Sequence, residues 1–342
     1  MRWYRGLLKY RKKFSMSQNR CTRTKVTTLL LRITFLVLSL IILIKMVDFK
    51  LVFHHVRDIS LLVLGILVSL AILQTWLLGI RWQLVNPDVS GQLTGVQYFR
   101  LMMMTKPFNL IMPGALGGDF VKTVLTLKAV DNNRVNNVIA IVVDRFIGLS
   151  SIIIMGSIAM FFMSDIRDKG PFYGVFAILA AGFAVILVVA GNQWVLRLLE
   201  SFFSRLGALG KQVIHFLETW INVLSFFRLN YHRLLLALLL CLPIHGLSFI
   251  TTYLLAINLG ITVSFFDICL ILAIVWVITS IPITISGVGV RELSLIYFLS
   301  LYGVEAEPAT ALSISLYIVS IALGFIGLLF YFRFYSALNV RS

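Results

Sequence analysis

Six stretches of this chain are long and apolar enough to cross a lipid bilayer: residues 26–46, 59–80, 138–163, 172–190, 234–258 and 309–332. The hydrocarbon core of a membrane is about 30 Å thick, and a helix rising 1.5 Å per residue needs about 20 apolar residues to span it. Lipid offers backbone N–H and C=O groups no partners, so each such stretch must satisfy its own polar groups as a helix. This constraint predicts an all-α polytopic membrane protein. Composition agrees, with 59% hydrophobic and 13% charged residues, against roughly a quarter charged in soluble domains. No polar stretch is long enough for a separate folded domain.

Two regions break the pattern. Residues 98–128 form two short apolar pieces joined around Pro113-Gly114, and residues 266–302 form two more, joined around Pro282 to Gly289. Each piece is about 15 residues, too short for a comfortable span, and the joints hold helix breakers. Two re-entrant helical hairpins beside about six full spans are the expected layout. The alternative is eight to ten short spans with tight turns.

The basic residues orient this layout. Residues 1–25 carry nine Lys/Arg and no acid, as expected of a cytoplasmic tail beside anionic lipid heads. With that tail inside, the loops at 47–58, 164–171 and 303–308 fall outside. They hold four Lys/Arg against six acids, whereas six Lys/Arg lie from Arg81 to Arg134 and five from Arg197 to Arg233. The expected order is then span, span, hairpin, span, twice over with opposite orientation: an inverted-topology repeat with halves 26–163 and 172–333, and a cytoplasmic C-terminus at 334–342. Residues 193–228 carry an apolar stripe and read as an interfacial helical connector within the second half. The tail lacks the aromatic readers and binding fold of a nucleic-acid partner. Cys21, Cys241 and Cys269 are scattered and form neither a disulfide framework nor a metal site, and no cofactor motif is present.

Intramembrane ionisable residues are functional candidates because each costs about 2.5–3.5 kcal/mol to insert. Here they cluster at the hairpins and one facing helix. Lys106, Asp119 and Lys122 belong to the first hairpin, Asp144 and Arg145 to the following span, and Arg291 and Glu292 close the second hairpin. Asp119 and Lys122, three apart, share a helix face. Gly117, Gly118, Gly287 and Gly289 allow close backbone approach to a ligand or another helix, and a helix beginning at such a joint aims a positive dipole end inward. Lys122, Arg145 and Arg291 suit an anionic group such as a lipid phosphate, with Asp119, Asp144 and Glu292 orienting them or meeting an amine on the headgroup. The alternative is that these acids and bases pair off as structural ion pairs. Of the remaining polar residues, His54-His55 reads as an exposed loop pair, His245 as packing near Pro243, and Asp267 as an N-terminal helix acid.

The elements Phe108-Asn109, Pro113, Gly117-Gly118-Asp119-x-x-Lys122, Asp144-Arg145-Phe146-x-Gly148-Leu149, Pro282 and Ser286-Gly287-x-Gly289-x-Arg291-Glu292 resemble the lysylphosphatidylglycerol synthase transmembrane region family of flippase-like membrane proteins. The resemblance covers about residues 26–332 and implies lipid translocation across a bacterial cytoplasmic membrane. Full synthases add a soluble aminoacyl-transfer domain, for which 342 residues leave no room, so synthesis of the aminoacylated lipid is not expected. Where many relatives carry an arginine in the last span, this chain has Leu316-Tyr317.

Three functions remain open on the sequence. The first is a flippase for an anionic phospholipid or a polyprenyl-phosphate-linked lipid. The second is a non-catalytic membrane partner of a separate glycosyl- or aminoacyl-transferase, and the third a membrane-embedded headgroup transferase. The topology makes its own prediction. In a cysteine-free background, Lys50→Cys reacts with a membrane-impermeant maleimide on intact cells, and Lys128→Cys reacts only after permeabilisation. The opposite pattern inverts the orientation.

Overall fold

In the computed structural model, residues 41–86, 92–111, 116–129, 134–163, 231–280 and 288–338 are described, with a few positions between 34 and 38 and between 170 and 181. Among the described residues there is no strand. The helices are α1 (Phe49–Arg57), α2 (Leu61–Val85), α3 (Gly95–Ile111), α4 (Leu116–Ala129), α5 (Arg134–Phe161), α6 (Tyr231–Asn258), α7 (Phe265–Ser280), α8 (Val290–Ser300) and α9 (Ala306–Leu338).

Four of the six expected spans are long apolar helices: Leu61–Val85, Ile139–Phe161, Tyr231–Asn258 and Ala306–Arg333. Their outward faces are apolar, with Leu61, Phe161, Phe325, Leu329 and Phe332 all strongly exposed, as a surface bathed in lipid tails requires. The spans expected at 26–46 and 172–190 lie mostly outside the described residues, as do the basic tail and the connector at 193–228.

The connection at 47–58 is a helix rather than a loop. Asp48 caps α1 by accepting from Lys50 N at 2.8 Å, and its own N–H donates to Glu307 Oε1 at 3.3 Å. His54 stands on this helix, paired with Asp58 at 3.1 Å.

The two irregular regions resolve into paired short helices, α3 with α4 and α7 with α8. At 1.5 Å per residue they measure about 25, 21, 24 and 16 Å, all short of a bilayer core. The members of each pair pack together; the joints at 112–115 and 281–287 lie outside the described residues. Apolar on all sides, α7 is buried without interruption from Asp267 to Val275, which makes it a core helix. Asp267 opens it as an N-terminal acid, bonded to Ser264 Oγ and to the Tyr302 hydroxyl at 2.9 Å.

The packing has an internal two-fold. Exchanging α2 with α6, α3 with α7, α4 with α8 and α5 with α9 carries the α3–α9 contact onto α7–α5. It carries α2–α3 onto α6–α7, α4–α5 onto α8–α9, and α5–α6 onto α9–α2. The central pair, α2 and α6, maps onto itself and runs antiparallel, since Gln74 meets Ser248 while Arg81 meets Cys241. Equivalent helices that pair antiparallel give an inverted repeat. The ends of the α3–α9 and α7–α5 pairs carry matching aromatic contacts, Phe99–Phe330 at 5.8 Å and Phe266–Phe162 at 4.6 Å.

Between apolar helices in lipid the hydrophobic effect adds little, so small residues and interhelical hydrogen bonds hold the bundle. Gly327 shows this where α9 crosses α3. A Cβ there would strike the Met103 carbonyl oxygen and come within 2.9 Å of Pro107 Cδ. Polar contacts join α2 to α5 through Asn86 and Asn137 at 2.8 Å, and α5 to α6 through Ser151 and His245 at 2.9 Å. Gly327→Ala is therefore expected to destabilise the bundle by about 1–3 kcal/mol in a denaturant titration in detergent. Gly65→Ala, whose new methyl meets nothing within 4 Å, should be neutral or slightly stabilising.

Candidate functional site

The inward charges of the first half form one continuous chain of alternating sign. Arg81 on α2 bonds Asp144 on α5 (Nε–Oδ1, 2.9 Å), and the second Asp144 oxygen takes Lys122 Nζ of α4, also at 2.9 Å. Lys122 reaches Asp119 one turn back at 3.3 Å, and Asp119 Oδ2 takes Arg145 Nη2 at 2.6 Å. Arg81, Lys122 and Asp144 are almost fully buried, whereas the Arg145 side chain is 32% exposed. Lys122 also sits 4.0 Å from the centre of the Trp82 ring, an attraction between cation and ring face. Three cations face two acids, so the chain keeps a surplus positive charge.

Helix geometry puts these groups together. The i, i+3 spacing brings Asp119 and Lys122 onto the face of α4 that meets α5, and adjacency sends Asp144 and Arg145 of α5 toward different partners. Gly117 and Gly118 lie in the first turn of α4. A Cβ on Gly118 would fall on the Asn109 side chain, so its absence lets α4 close onto α3.

The second half is built differently. Gly289, at φ 84°, is the N-cap of α8, and Glu292 reaches back to accept its N–H at 2.6 Å, the return half of a capping box. The other Glu292 oxygen accepts from Ser313 Oγ at 2.7 Å and lies 3.4 Å from Arg291 Nη2. Arg291 donates from Nε to Ser313 Oγ at 2.9 Å and from Nη2 to the Ser313 carbonyl at 3.1 Å. Its guanidinium stacks on the Tyr317 ring at 3.6 Å. Gly287 lies outside the described residues.

Two cavities open between the helices. The larger, about 340 Å³, lies between the halves and is lined by Gln74, Lys106, Asn109, Ser248, Thr251, Trp276, Arg291 and Tyr317 among others. The smaller, about 130 Å³, is lined by Arg81, Lys106, Asn109, Gly118, Asp119, Lys122 and Asp144 with three further residues. Lys106 and Asn109, one turn apart on α3, line both and form the wall between them. Lys106 has no hydrogen-bond or ion-pair partner among the described residues.

A family model for the lysylphosphatidylglycerol synthase TM region matches residues 29–333. The chain belongs to this family. Comparison with curated proteins and with solved structures returned no match.

Within this family member the candidate residues do not converge on one point. Lys106, Asp119, Lys122 and Asp144 surround the smaller cavity, while Lys106 and Arg291 face the larger. Arg145 lines neither and holds Asp119 from behind, and Glu292 is buried as the brace of Arg291. Among the described residues no three His, Cys, Asp or Glu side chains lie together as metal ligands.

Arg81 corrects the sequence reading. Counted there with the cytoplasmic loops, it sits inside the bundle on the last turns of α2, because that helix continues to Val85. A charged residue flanked by Ile80 and Trp82 was the available signal. Gln74, Ser248 and Thr251 were also unmarked by the sequence, being ordinary polar residues within apolar runs, whereas Asn109 was marked only as part of the Phe108-Asn109 element.

Asp144→Asn tests the chain of charges. It leaves Arg81 and Lys122 buried without their shared partner, and removing one member of a buried ion pair costs about 3–5 kcal/mol. The variant should unfold at clearly lower denaturant in detergent than the wild type. Arg145→Gln, at the exposed end, should cost far less.

Proposed function

We propose that this protein moves an anionic lipid across the bacterial cytoplasmic membrane, with both termini on the cytoplasmic side, and that the headgroup passes through the two adjoining cavities. The observation that carries this reading is the position of Lys106, a cation with no partner among the described residues, in the wall that both cavities share. An uncompensated charge inside a membrane bundle is costly, and an anionic oxygen would offset that cost by a charge-assisted hydrogen bond. Family membership and the inverted repeat support the reading, since alternating access works by rocking such repeats around a central site.

In this mechanism the phosphate meets Lys106 from the larger cavity, and the Asn109 side chain swings with α3 as the halves rock. The smaller cavity then offers Lys122 and the surplus positive charge of the ion chain. Asp119 and Asp144 hold Lys122 in place and keep the second site from binding the phosphate too tightly to release it. The acyl chains stay in the lipid throughout.

The test is a dithionite-quenching assay on proteoliposomes holding an anionic phospholipid with a fluorophore on one acyl chain. Wild-type protein should expose the inner-leaflet lipid to the quencher. Lys106→Met keeps the side-chain volume and removes the charge, and should slow exchange by roughly ten- to a hundredfold, the worth of one charged hydrogen bond. Unchanged exchange in Lys106→Met, or none in the wild type, overturns the proposal.

A further inference from the structure

The unsatisfied groups of the larger cavity specify more than an anion. Gln74 spends its amide N–H groups inside the protein, Nε2 donating to the Ile244 carbonyl at 3.1 Å and to Ser248 Oγ. Its carbonyl oxygen Oε1 has no partner among the described residues. Thr251, 8% exposed, lines the same cavity with a hydroxyl that no described residue engages. Arg291 uses Nε and Nη2 on Ser313 and Glu292, which leaves Nη1 without a protein partner among the described residues.

Set together, the cavity offers an acceptor and a hydroxyl from α2 and α6, and cationic donors from α3 and α8. Among the described residues no carboxylate lines it. An amide oxygen held fixed by its own nitrogen calls for an O–H or N–H donor on the ligand, because buried polar groups are normally satisfied. The two cations call for anionic oxygens. A primary amine on the ligand would meet Lys106 and Arg291 with no carboxylate among the described lining residues to receive it, since Glu292 stands behind Arg291 and is taken up by Ser313 and the Gly289 N–H, and like charges in a poorly hydrated site repel.

We propose that the larger cavity binds a polyol phosphate: a phosphate seated between Lys106 and Arg291, carrying a glycerol or sugar whose hydroxyls bond Gln74 Oε1 and the Thr251 hydroxyl. Amine-bearing headgroups, including aminoacylated ones, are disfavoured there. At about 340 Å³ the space falls in the range of small-molecule sites, roughly 300–1,000 Å³. This specificity deepens the translocation reading, which supplies the reason for a headgroup to be in the bundle, but its binding chemistry is measured without transport.

The experiment is isothermal titration of the detergent-solubilised full chain with glycerol phosphate, ethanolamine phosphate and inorganic phosphate. Glycerol phosphate should bind at least roughly fivefold more tightly than either of the others, as about one extra hydrogen bond provides. Gln74→Leu and Thr251→Val should each remove that preference while leaving inorganic phosphate affinity unchanged. Lys106→Met should weaken all three anions. Each variant is first checked for an unaltered thermal transition, and Thr251→Val, close to isosteric, keeps the test open if Gln74→Leu unfolds. Phosphatidylglycerol in the micelle displacing glycerol phosphate identifies the ligand as a lipid headgroup. Displacement by soluble sugar phosphates but not by the lipid identifies a free polyol phosphate, which supports the cavity chemistry and counts against translocation. Equal binding of ethanolamine phosphate and glycerol phosphate, no binding of any of the three, or a preference that survives both substitutions overturns the proposal.

Discussion

The ion chain from Arg81 through Asp144, Lys122 and Asp119 to Arg145 is the constraint on which the first half of the bundle is built. Each of its charges would be costly alone inside a membrane bundle. Linked in alternating order they satisfy one another, and the linkage fixes α2, α4 and α5 in a single arrangement. Arg81 extends the lock to α6 through its contact with Cys241 at 3.4 Å. A chain of this kind contributes more to the choice of one packing than to net stability, because desolvation offsets most of the attraction between its members. Its odd number of charges also matters. It ends in a cation at each side, Arg81 lining the adjoining cavity and Arg145 lying outside it.

The second half follows the same plan of helices with a different chemistry. Where α5 presents Asp144 and Arg145 to its neighbours, α9 presents Leu316 and Tyr317, and the cation comes from α8 as Arg291 lying on the Tyr317 ring. Glu292 is taken up by the N-cap of α8 and by Ser313, so it steadies Arg291 without entering the cavity. The two cavities are of unlike character: a small one within the first half ringed by paired charges, and a larger one between the halves with hydroxyls, amides and two cations among its lining.

Lys106 joins the two. It rides on α3, which is pressed against α9 at Gly327 and against α4 at Gly118. Both contacts depend on the absence of a side chain. Pro107, the next residue, withholds one backbone N–H from the helix at the same level.

Much of this was legible in the sequence. Runs of about 20 apolar residues fix the class and place four long helices, because lipid allows little else. Helix breakers at 112–114 and 282–289 mark the short paired helices, and the cost of buried charge singles out Asp119, Lys122, Asp144, Arg145 and Arg291 before any geometry is known. What the sequence could not decide is which charge meets which. Asp119 and Lys122 lie three residues apart and pair through helix geometry alone, but Arg81 and Asp144 are 63 residues apart and meet only because two helices pack at that level. Gln74 and Thr251 carry no local signal either, since a polar side chain in an apolar run reads the same whether it bonds a neighbour or faces a cavity. Period and hydropathy report the solvent around each helix, and so the fold class. The site depends on the rotation and register of helices against one another, which only tertiary packing sets.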